Sequence, residues 1–352
     1  MPEFSKHLLI LTPGFPHTED DSSNVPYLQD FILALKNRIG ADKIKIITLH
    51  YPYTKKKYLW HNIEVIPAGG RNKKGFRKLF LMYRVFGIIK KLSKQNNFVL
   101  HSFWLTDAAM IGQISGRKYG WKHICTAMGQ DVKPENKFLQ FLNTELTTVI
   151  TLSSNQEEIF FESTGNHSYR TIPLPIPDID KNHITEQRDI DVLFVGSFIS
   201  LKQPPLFIII IKKLKEKFPQ LKSVMIGEGP MLEGMKKIVD AESLNDTIQF
   251  EGKLERSKVF ELMRRSKILL HTSVYEGQCL VFSEALAHGM YVVSHHVGRI
   301  EDSGKHVICW SEEELFLKCE ELLYSKMNFE PYRSLDTDVI VEQYLKLYNE
   351  QA

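Results

Sequence analysis

The chain has 352 residues, 43% hydrophobic and 25% charged, with 45 Lys and Arg against 42 Asp and Glu. This ordinary composition excludes a disordered protein, a collagen-like fibre and a disulfide scaffold. The length favours two domains, because single hydrophobic cores stop growing at roughly 250–300 residues. The four cysteines, at positions 125, 279, 309 and 319, form no CxxC pair. They give no support to a zinc ribbon or a dithiol site, and they suit a reducing cytoplasm.

The first half of the chain alternates strand-like and helix-like segments. Short aliphatic or β-branched runs predict strands at Lys6–Leu11, Lys45–Leu49, Ile63–Ile66, Phe98–His101, His123–Ala127, Thr147–Leu152 and Tyr169–Ile172. Apolar residues at helical spacing predict helices at Asn24–Asn37, within 71–96 and at Asp107–Lys118. The prolines of 173–177 and the polar stretch Lys181–Arg188 then indicate a linker.

The same alternation restarts after the linker. Strands are predicted at Asp191–Val195, Lys222–Ile226, Thr247–Phe250, Lys267–His271 and Tyr291–Ser294. Helices are predicted at Pro205–Phe218, Pro230–Ala241, Ser257–Arg265, Val281–His288, Glu312–Tyr324 and Asp336–Glu350. Such alternation predicts an α/β fold with parallel sheets covered by helices. We expect two Rossmann-like domains, residues 1–175 and 176–335, facing across a deep cleft, and a C-terminal helix at 336–352 that packs back on the first domain.

The positive charge of the chain is concentrated in one segment. Residues 1–175 hold 23 Lys and Arg and 14 Asp and Glu, a net of +9, whereas residues 176–352 hold 22 and 28, a net of −6. Residues 71–94 combine basic and apolar side chains without any acid, which predicts a basic amphipathic helix. Two interpretations stay open: docking on an anionic membrane surface, or a surface helix with a solvated charged face. Without a nucleic-acid-binding motif, we expect no nucleic-acid partner.

The segment 270–289 combines acids with a helix start. A strand ends near His271, the following loop carries Glu276, and a helix that begins around Cys279 carries Glu284. The free N–H groups at such a helix start suit a phosphate. The two carboxylates suit sugar hydroxyls, one of a hexose and the other of a ribose. The alternative is that both acids are solvated or help to cap the helix.

Motifs for other chemistries are absent or badly placed. There is no G-x-G-x-x-G, P-loop or H-E-x-x-H motif. The D-x-D pairs Asp178–Asp180, Asp189–Asp191 and Asp336–Asp338 lie in the linker, at a strand start and at a helix start, and we expect them to be structural. We therefore expect no essential metal ion or other cofactor. Among the histidines, His101 at a predicted strand end is the candidate for the cleft, unless it is buried and bonded to backbone.

The pattern S-x-x-E-G…E-A-L-A-x-G, which contains Glu276 and Glu284, resembles the signature of the family 4 retaining glycosyltransferases of the GT-B fold. Three other stretches agree with that family. Phe194–Lys202 resembles its G-R-L-x-x-x-K loop, Gly227–Pro230 its G-x-G-P turn, and Ile248–Gly252 its F-x-G strand end near the nucleotide base. The resemblance covers about residues 190–295, and the first half of the chain agrees more weakly.

This resemblance implies a set of site residues. Those on the donor side are Gly14, Gly196, Ser197, Lys202, Lys253, Leu254, Glu276, Gly277, Gln278, Cys279, Leu280 and Glu284. Lys202 would stabilise the leaving diphosphate, Glu276 would hold the transferred sugar, and Glu284 would hold the ribose, so Lys202 and Glu276 are the implied catalytic residues. Those on the acceptor side are His101, Met128, Gln130 and Asp131. No protein nucleophile is implied.

Three positions depart from the family pattern. Ser197 replaces an arginine, Met128 stands where a histidine usually precedes a glycine, and Gln278–Cys279 replaces an aromatic–glycine pair. Each change allows either a shifted donor preference or a weakened enzyme.

The resemblance implies a glycosyltransferase of the hexosyltransferase type, which we expect to be metal-independent. It would move a sugar from a nucleotide-sugar donor to a glycan or lipid-linked acceptor in cell-surface polysaccharide biosynthesis, such as that of lipopolysaccharide. We expect it in the cytoplasm, as a peripheral protein at the inner membrane face. The alternatives are a nucleotide-sugar epimerase with the same two-domain fold and a non-catalytic GT-B protein that acts as a partner or sugar-binding module. The three departures support the second alternative, and the retention of Lys202, Glu276 and Glu284 argues against it.

Overall fold

The computed structural model describes residues 4–21, 24–72, 75–177, 188–300, 303–333 and 335–350. The chain divides into two compact units, Met1–Pro175 with Asp336–Ala352, and Ile176–Leu335. Each unit has its own sheet and its own apolar core, and each is therefore a domain. Most of the predicted linker, including Asp178–Asp180, lies outside the described residues.

The first domain is built on a mostly parallel sheet. Its strands are β1 (His7–Gly14), β2 (Ile44–Tyr51), β3 (Tyr58–Trp60), β4 (Ile63–Pro67), β5 (Phe98–Phe103), β6 (His123–Thr126), β7 (Thr148–Thr151) and β8 (Arg170–Thr171). Their spatial order is β3-β4-β2-β1-β5-β6-β7-β8, and the β3–β4 pair alone is antiparallel among the described strands. The central strands read as continuous apolar runs because helices cover both faces of such a sheet.

The second domain has an all-parallel sheet within its described residues. Its strands are β9 (Ile190–Val195), β10 (Ser223–Ile226), β11 (Ile248–Gly252), β12 (Ser266–His271), β13 (Tyr291–His295) and β14 (His306–Cys309). Their spatial order is β11-β10-β9-β12-β13-β14. Because the strands are parallel, the loops that follow them lie along one edge, where ligands bind in sheets of this kind.

Helices cover both sheets. They are α1 (Pro26–Ile39), α2 (Phe76–Leu92), α3 (Asp107–Tyr119), α4 (Ser154–Thr164), α5 (Pro204–Lys217), α6 (Leu232–Ala241), α7 (Arg256–Arg265), α8 (Leu280–Ala287), α9 (Glu312–Tyr324) and α10 (Thr337–Asn349). In α2, the apolar positions Leu81, Val85 and Ile89 recur at helical spacing and pack into the core of the first domain.

The last helix belongs to the first domain. The Asp336 carboxylate caps α10 by accepting from backbone N–H groups at 2.8 and 3.1 Å. Tyr344 of α10 is fully buried, with its ring centroid 4.6 Å from that of Phe31 on α1. Arg38 of α1 lies 3.0 Å from Glu342 of α10. This buried aromatic face and ion pair hold the end of the chain against the first domain.

Three elements escaped the sequence analysis. β3 and β14 are short strands at the edges of their sheets, and Leu59 of β3 is exposed. α4 contacts the core through few side chains: among its described residues only Gln156 and Phe160 are buried. Its sequence therefore shows little apolar periodicity. Its ends nevertheless carry signals: Ser153 Oγ accepts from the Gln156 N–H at 3.1 Å, and Gly165 follows the last turn with φ 70°.

Candidate functional site

Two loops at the carboxyl edge of the second sheet pack together with no room for side chains. The loop after β9 contains Gly196 and Phe198, and the turn after β10 contains Gly227 and Gly229. A Cβ atom on Gly227 would lie 1.9 Å from the Gly196 carbonyl oxygen. One on Gly229 would lie 2.5 Å from the Phe198 carbonyl oxygen. This packing requires glycine at both positions and fixes the start of the loop that follows β9.

Backbone contacts then position Lys202 at the end of that loop. The hydroxyl of Thr272, directly after β12, donates to the Lys202 carbonyl oxygen at 2.8 Å. The Val274 N–H donates to the Leu201 carbonyl oxygen at 3.1 Å. Thr272 is fully buried. These bonds join the loop after β9 to the loop after β12, and so bring Lys202 to Glu276.

Glu276 lies between two nitrogen-bearing side chains. Its Oε1 forms an ion pair with Lys202 Nζ and lies 2.8 Å from Nε2 of His271, and 12% of its side chain is exposed. Burial by itself would raise the pKa of Glu276, but the hydrogen bond from His271 and the charge of Lys202 lower it to about 2. A carboxylate can only accept, so His271 donates from Nε2 to Glu276. Burial lowers the pKa of His271.

The loop after β12 leads directly to the start of α8. Gly277 and Gln278 are buried, and Leu280 is the first helical residue. Cys279 has φ 61° and ψ 65°, a left-handed conformation that residues other than glycine rarely adopt. Its thiol lies 3.4 Å from His271 Nε2. Cysteine therefore keeps a backbone conformation suited to glycine and adds a sulfur atom to the site.

Glu284 is held by an arginine that the sequence analysis missed. Glu284 Oε1 lies 2.6 Å from an Nη of Arg256, the first residue of α7, and the two side chains are 13% and 19% exposed. The stretch that resembles the family's F-x-G strand end stops at Gly252. A basic residue at the start of the next helix matches no sequence motif that would single it out. Neither Glu276 nor Glu284 faces bulk water, and each acid is paired with a cation.

The other predicted donor residues differ in exposure. Ser197 is exposed on the loop after β9. Lys253 is 54% exposed, with its Nζ 4.0 Å from a Glu228 oxygen, while Leu254 packs against an apolar cluster of the second domain. Gly14 is the last residue of β1, in the first domain.

The prediction that His101 lies at a strand end is wrong. β5 continues to Phe103, and the His101 side chain is fully buried. Its Nδ1 lies 2.7 Å from the Tyr348 hydroxyl and its Nε2 lies 2.8 Å from the Thr126 hydroxyl. Because α10 covers the ring and both nitrogens are bonded, His101 is a packed core residue and has no free atom for an acceptor. Local sequence could not show this, since Tyr348 comes from the far end of the chain.

Asp131 organises a loop of the first domain. Its carboxylate accepts N–H groups from Leu105 at 2.7 Å, Met128 at 3.0 Å and Gly129 at 2.7 Å. Burial raises the pKa of Asp131, and these backbone bonds oppose that shift. Gln130 beside it is exposed. The Asp131 oxygens thus fix the backbone around Met128, whereas Gln130 offers its amide to solvent.

The described D-x-D aspartates have protein partners. Asp189 lies 2.9 Å from Nε of Arg265, and Asp191 lies 2.7 Å from Lys267. Asp336 caps α10, as described above. Each of these carboxylates is bound to a basic side chain or to a helix end.

Comparison with known sequences concerns mainly the second domain. Residues 176–307 match the family described as Glycosyl transferases group 1. One subunit of the Homo sapiens phosphatidylinositol N-acetylglucosaminyltransferase is 31% identical over 134 residues, which cover 38% of this chain and 28% of that protein. The uncharacterized glycosyltransferase YqgM of Bacillus subtilis is 28% identical over 147 residues, 41% of each chain. The chain thus spans less than half the length of these two relatives.

Solved structures match both domains. Anabaena HepE, in complex with UDP and glucose, has a TM-score of 0.73 and 13% identity over 97% of this chain and 99% of that chain. Sucrose-phosphate synthase from Thermosynechococcus elongatus has a TM-score of 0.69 and 14% identity over 97% and 98%. The lipopolysaccharide outer core galactosyltransferase WaaB has a TM-score of 0.67 and 12% identity over 97% and 96%. At such identities the likeness establishes the fold, and it confirms the predicted pair of Rossmann-like domains.

Proposed function

We propose that the chain moves a sugar from a nucleoside-diphosphate sugar to a glycan or lipid-linked acceptor. The GT-B fold and the match of residues 176–307 to the group 1 glycosyltransferases support this proposal. The contact of Lys202 and His271 with Glu276, beside the start of α8, carries the proposal. It joins a cation, a carboxylate and a helix N-terminus at one sheet edge. The N-acetylglucosaminyltransferase relatives and the UDP complex of HepE support a nucleotide-sugar donor.

The proposed chemistry follows from the charges of this site. A departing diphosphate develops negative charge, which fixed positive partners stabilise. Lys202 supplies a full charge, and the first-turn N–H groups of α8 supply a partial one. The Glu276 carboxylate orients Lys202 and accepts hydrogen bonds from hydroxyls of the transferred sugar. The acceptor attacks on the face that the diphosphate leaves, and the phosphate takes the acceptor proton, so the anomeric configuration is retained without a protein nucleophile.

A screen of nucleotide sugars tests this proposal. The full chain is incubated with each donor, with and without glycan and phosphatidylinositol-linked acceptors, and free diphosphate is measured. We expect release from at least one donor, and faster release when an acceptor is present. No release from any donor would contradict the proposal. Release of an epimerised free sugar in the absence of acceptor would instead identify an epimerase.

Replacing Glu284 by alanine should weaken binding of the nucleoside diphosphate by about 1–3 kcal/mol, the cost of removing one buried hydrogen-bond partner. In this proposal Glu284 accepts from the ribose hydroxyls while Arg256 holds its other side. Titration calorimetry with UDP and GDP measures the effect. Glu261→Ala, at an exposed position of α7, is the matched control. Equal affinity in Glu284→Ala and the wild type would remove Glu284 from the ribose role.

The solvent-facing side of α2 supports a membrane role for the first domain. Phe80 and Tyr83 are 72% and 82% exposed, and Arg77, Lys90 and Lys91 are exposed on the same helix. Large apolar side chains grouped with basic ones on a helix surface suit an anionic lipid interface. Among the described residues, no helix has both the length and the apolar character to cross a bilayer. From the grouping of exposed basic and aromatic side chains on α2, we propose peripheral binding.

A second apolar segment lies next to the start of α2. Lys78 Nζ is 4.2 Å from the ring centroid of Phe138, which begins the short segment 138–142. Phe141 in this segment is 56% exposed, and its carbonyl oxygen accepts from Gln113 of α3 at 3.1 Å. The segment thus places an exposed aromatic ring beside the basic helix, where both can enter the headgroup region together.

Changing Arg77, Lys90 and Lys91 together to glutamine should weaken binding to anionic vesicles by about 100-fold, since each basic residue near such a surface contributes about 1 kcal/mol. The measurement is sedimentation with phosphatidylglycerol vesicles at low salt. Lys73 and Lys74, part of the same predicted basic segment, lie outside the described residues and are left unchanged.

The matched control changes three basic residues of another surface helix. Lys212, Lys213 and Lys217 of α5 are about equally exposed and lose the same charge when changed to glutamine. This control should still sediment like the wild type. Wild-type protein that stays in solution at low salt, or an equal loss in both triple variants, would contradict binding through α2.

We further propose that transfer needs no essential metal ion, because Lys202 and the start of α8 supply the positive charge for the diphosphate. Binding through α2 would place the reaction at the cytoplasmic face of the membrane. The likeness to WaaB supports a place in the assembly of cell-surface polysaccharide such as lipopolysaccharide.

A further inference from the structure

The loop after β12 brings together three side chains that commonly bind metal ions. His271 Nε2 lies 2.8 Å from Glu276 Oε1 and 3.4 Å from Cys279 Sγ. All three atoms lie within 4.8 Å of one another. A tetrahedral zinc ion has bonds of about 2.0–2.3 Å, so its ligand atoms lie about 3.3–3.8 Å apart. Shifts of about 1 Å therefore suffice to place the three atoms around one ion.

The ligand set selects a particular class of ion. An imidazole, a carboxylate and a thiolate favour zinc-class cations over calcium or magnesium, which prefer oxygen ligands alone. His271 is buried and Cys279 is partly buried, so the cluster differs from the exposed acidic groups that fill many protein surfaces. Cys279 has a left-handed backbone conformation, and its sulfur lies 3.4 Å from the His271 imidazole.

We propose that His271, Glu276 and Cys279 form a binding site for a thiophilic divalent cation of the zinc class. The ion bonds to His271 Nε2, Glu276 Oε1 and Cys279 Sγ. The Nε2 proton is lost and the imidazole takes the tautomer protonated at Nδ1, a nitrogen that has no hydrogen-bond partner in this structure, while the thiol proton goes to solvent. A fourth position stays open for water. The proposal rests on the positions of these atoms and does not require the chain to transfer sugar.

Lys202 competes with this ion for the Glu276 carboxylate. Its ammonium group now holds the same Glu276 oxygen, and two cations at one carboxylate oxygen repel each other. Metal binding therefore displaces Lys202 from Glu276. In a working transferase the ion would compete with the nucleotide sugar, so it would act as an inhibitor.

Titration of the full chain with Co²⁺ tests the proposal. A cobalt–thiolate bond gives a charge-transfer absorption, which we expect to saturate at one ion per chain and to disappear when Zn²⁺ displaces the cobalt. Cys279→Ser should abolish this absorption. His271→Ala should weaken binding by more than about tenfold, since even changes outside the ligand set cost about that much. Lys202→Met should tighten binding, because it removes the competing charge.

Cys125→Ser is the matched control, because Cys125 is buried in the first domain and bonded there to a backbone carbonyl oxygen. It should keep the absorption. Cys279→Gly, which suits the left-handed backbone, replaces Cys279→Ser if the serine variant does not fold. Three results would overturn the proposal: no absorption in the wild type, absorption that survives the loss of the Cys279 thiol, or weaker binding in Lys202→Met. No nucleotide sugar is present, so failure here is distinct from failure of the transferase proposal.

Discussion

Replacing Lys202 by methionine should lower the rate of sugar transfer by about 100- to 1,000-fold, the loss that follows removal of one fixed donor to a developing negative charge. Thr272 and Glu276 hold Lys202 in place from both ends of the residue, at its backbone and at its amine. Charge on the diphosphate grows as the bond to the sugar breaks, so kcat should fall further than the affinity for the donor. Initial-rate kinetics with the donor found by the screen measures both quantities.

Lys213→Met provides the matched control for this prediction. Lys213 lies on α5 of the same domain, is 47% exposed and pairs with Glu313 at 2.8 Å. It should leave kcat and donor affinity at their wild-type values. If Lys202→Met lowers kcat and donor affinity equally, Lys202 binds the ground state and the proposed role is wrong.

Gly227→Ala should destabilise the protein by about 3 kcal/mol, through overpacking and a strained backbone. The new methyl group would lie 1.9 Å from the Gly196 carbonyl oxygen, and φ at this position is +142°. Its clash is with backbone, so relief requires the loops after β9 and β10 to separate. Urea unfolding, followed by circular dichroism, measures the loss.

Gly234→Ala is the control, and its expected effect on the free energy of unfolding has the opposite sign. Gly234 lies within α6, and a Cβ atom there would meet nothing within 4 Å. Alanine should stabilise the helix by about 0.5–1 kcal/mol. Equal unfolding midpoints for Gly227→Ala and the wild type would contradict the close packing of the two loops.

The strands of both sheets were predictable because their signal is local. A parallel strand buried on both faces must be apolar throughout, and Leu8–Leu11 shows this in β1, where all four side chains are buried. Edge strands lack this signal: the described residues of β14, His306–Cys309, are mostly half-buried and mixed in character.

The site was predictable only in part, because several of its contacts join residues that are far apart in the sequence. The resemblance to the glycosyltransferase motifs singled out Lys202 and Glu276, and the fold brings them into contact across 74 positions of sequence. The Arg256–Glu284 pair and the Tyr348–His101 bond involve partners 28 and 247 positions apart. Such pairings follow from how helices pack on a sheet, and no local pattern encodes them.

Binding of a nucleoside diphosphate to the second domain is the claim on which the functional account depends. Calorimetric titration of the folded full chain with UDP, and separately with GDP, measures it without knowledge of sugar or acceptor. We predict saturable binding of at least one of the two nucleotides, with one site per chain. A folded chain that binds neither would contradict the account and would indicate a GT-B protein without transferase activity.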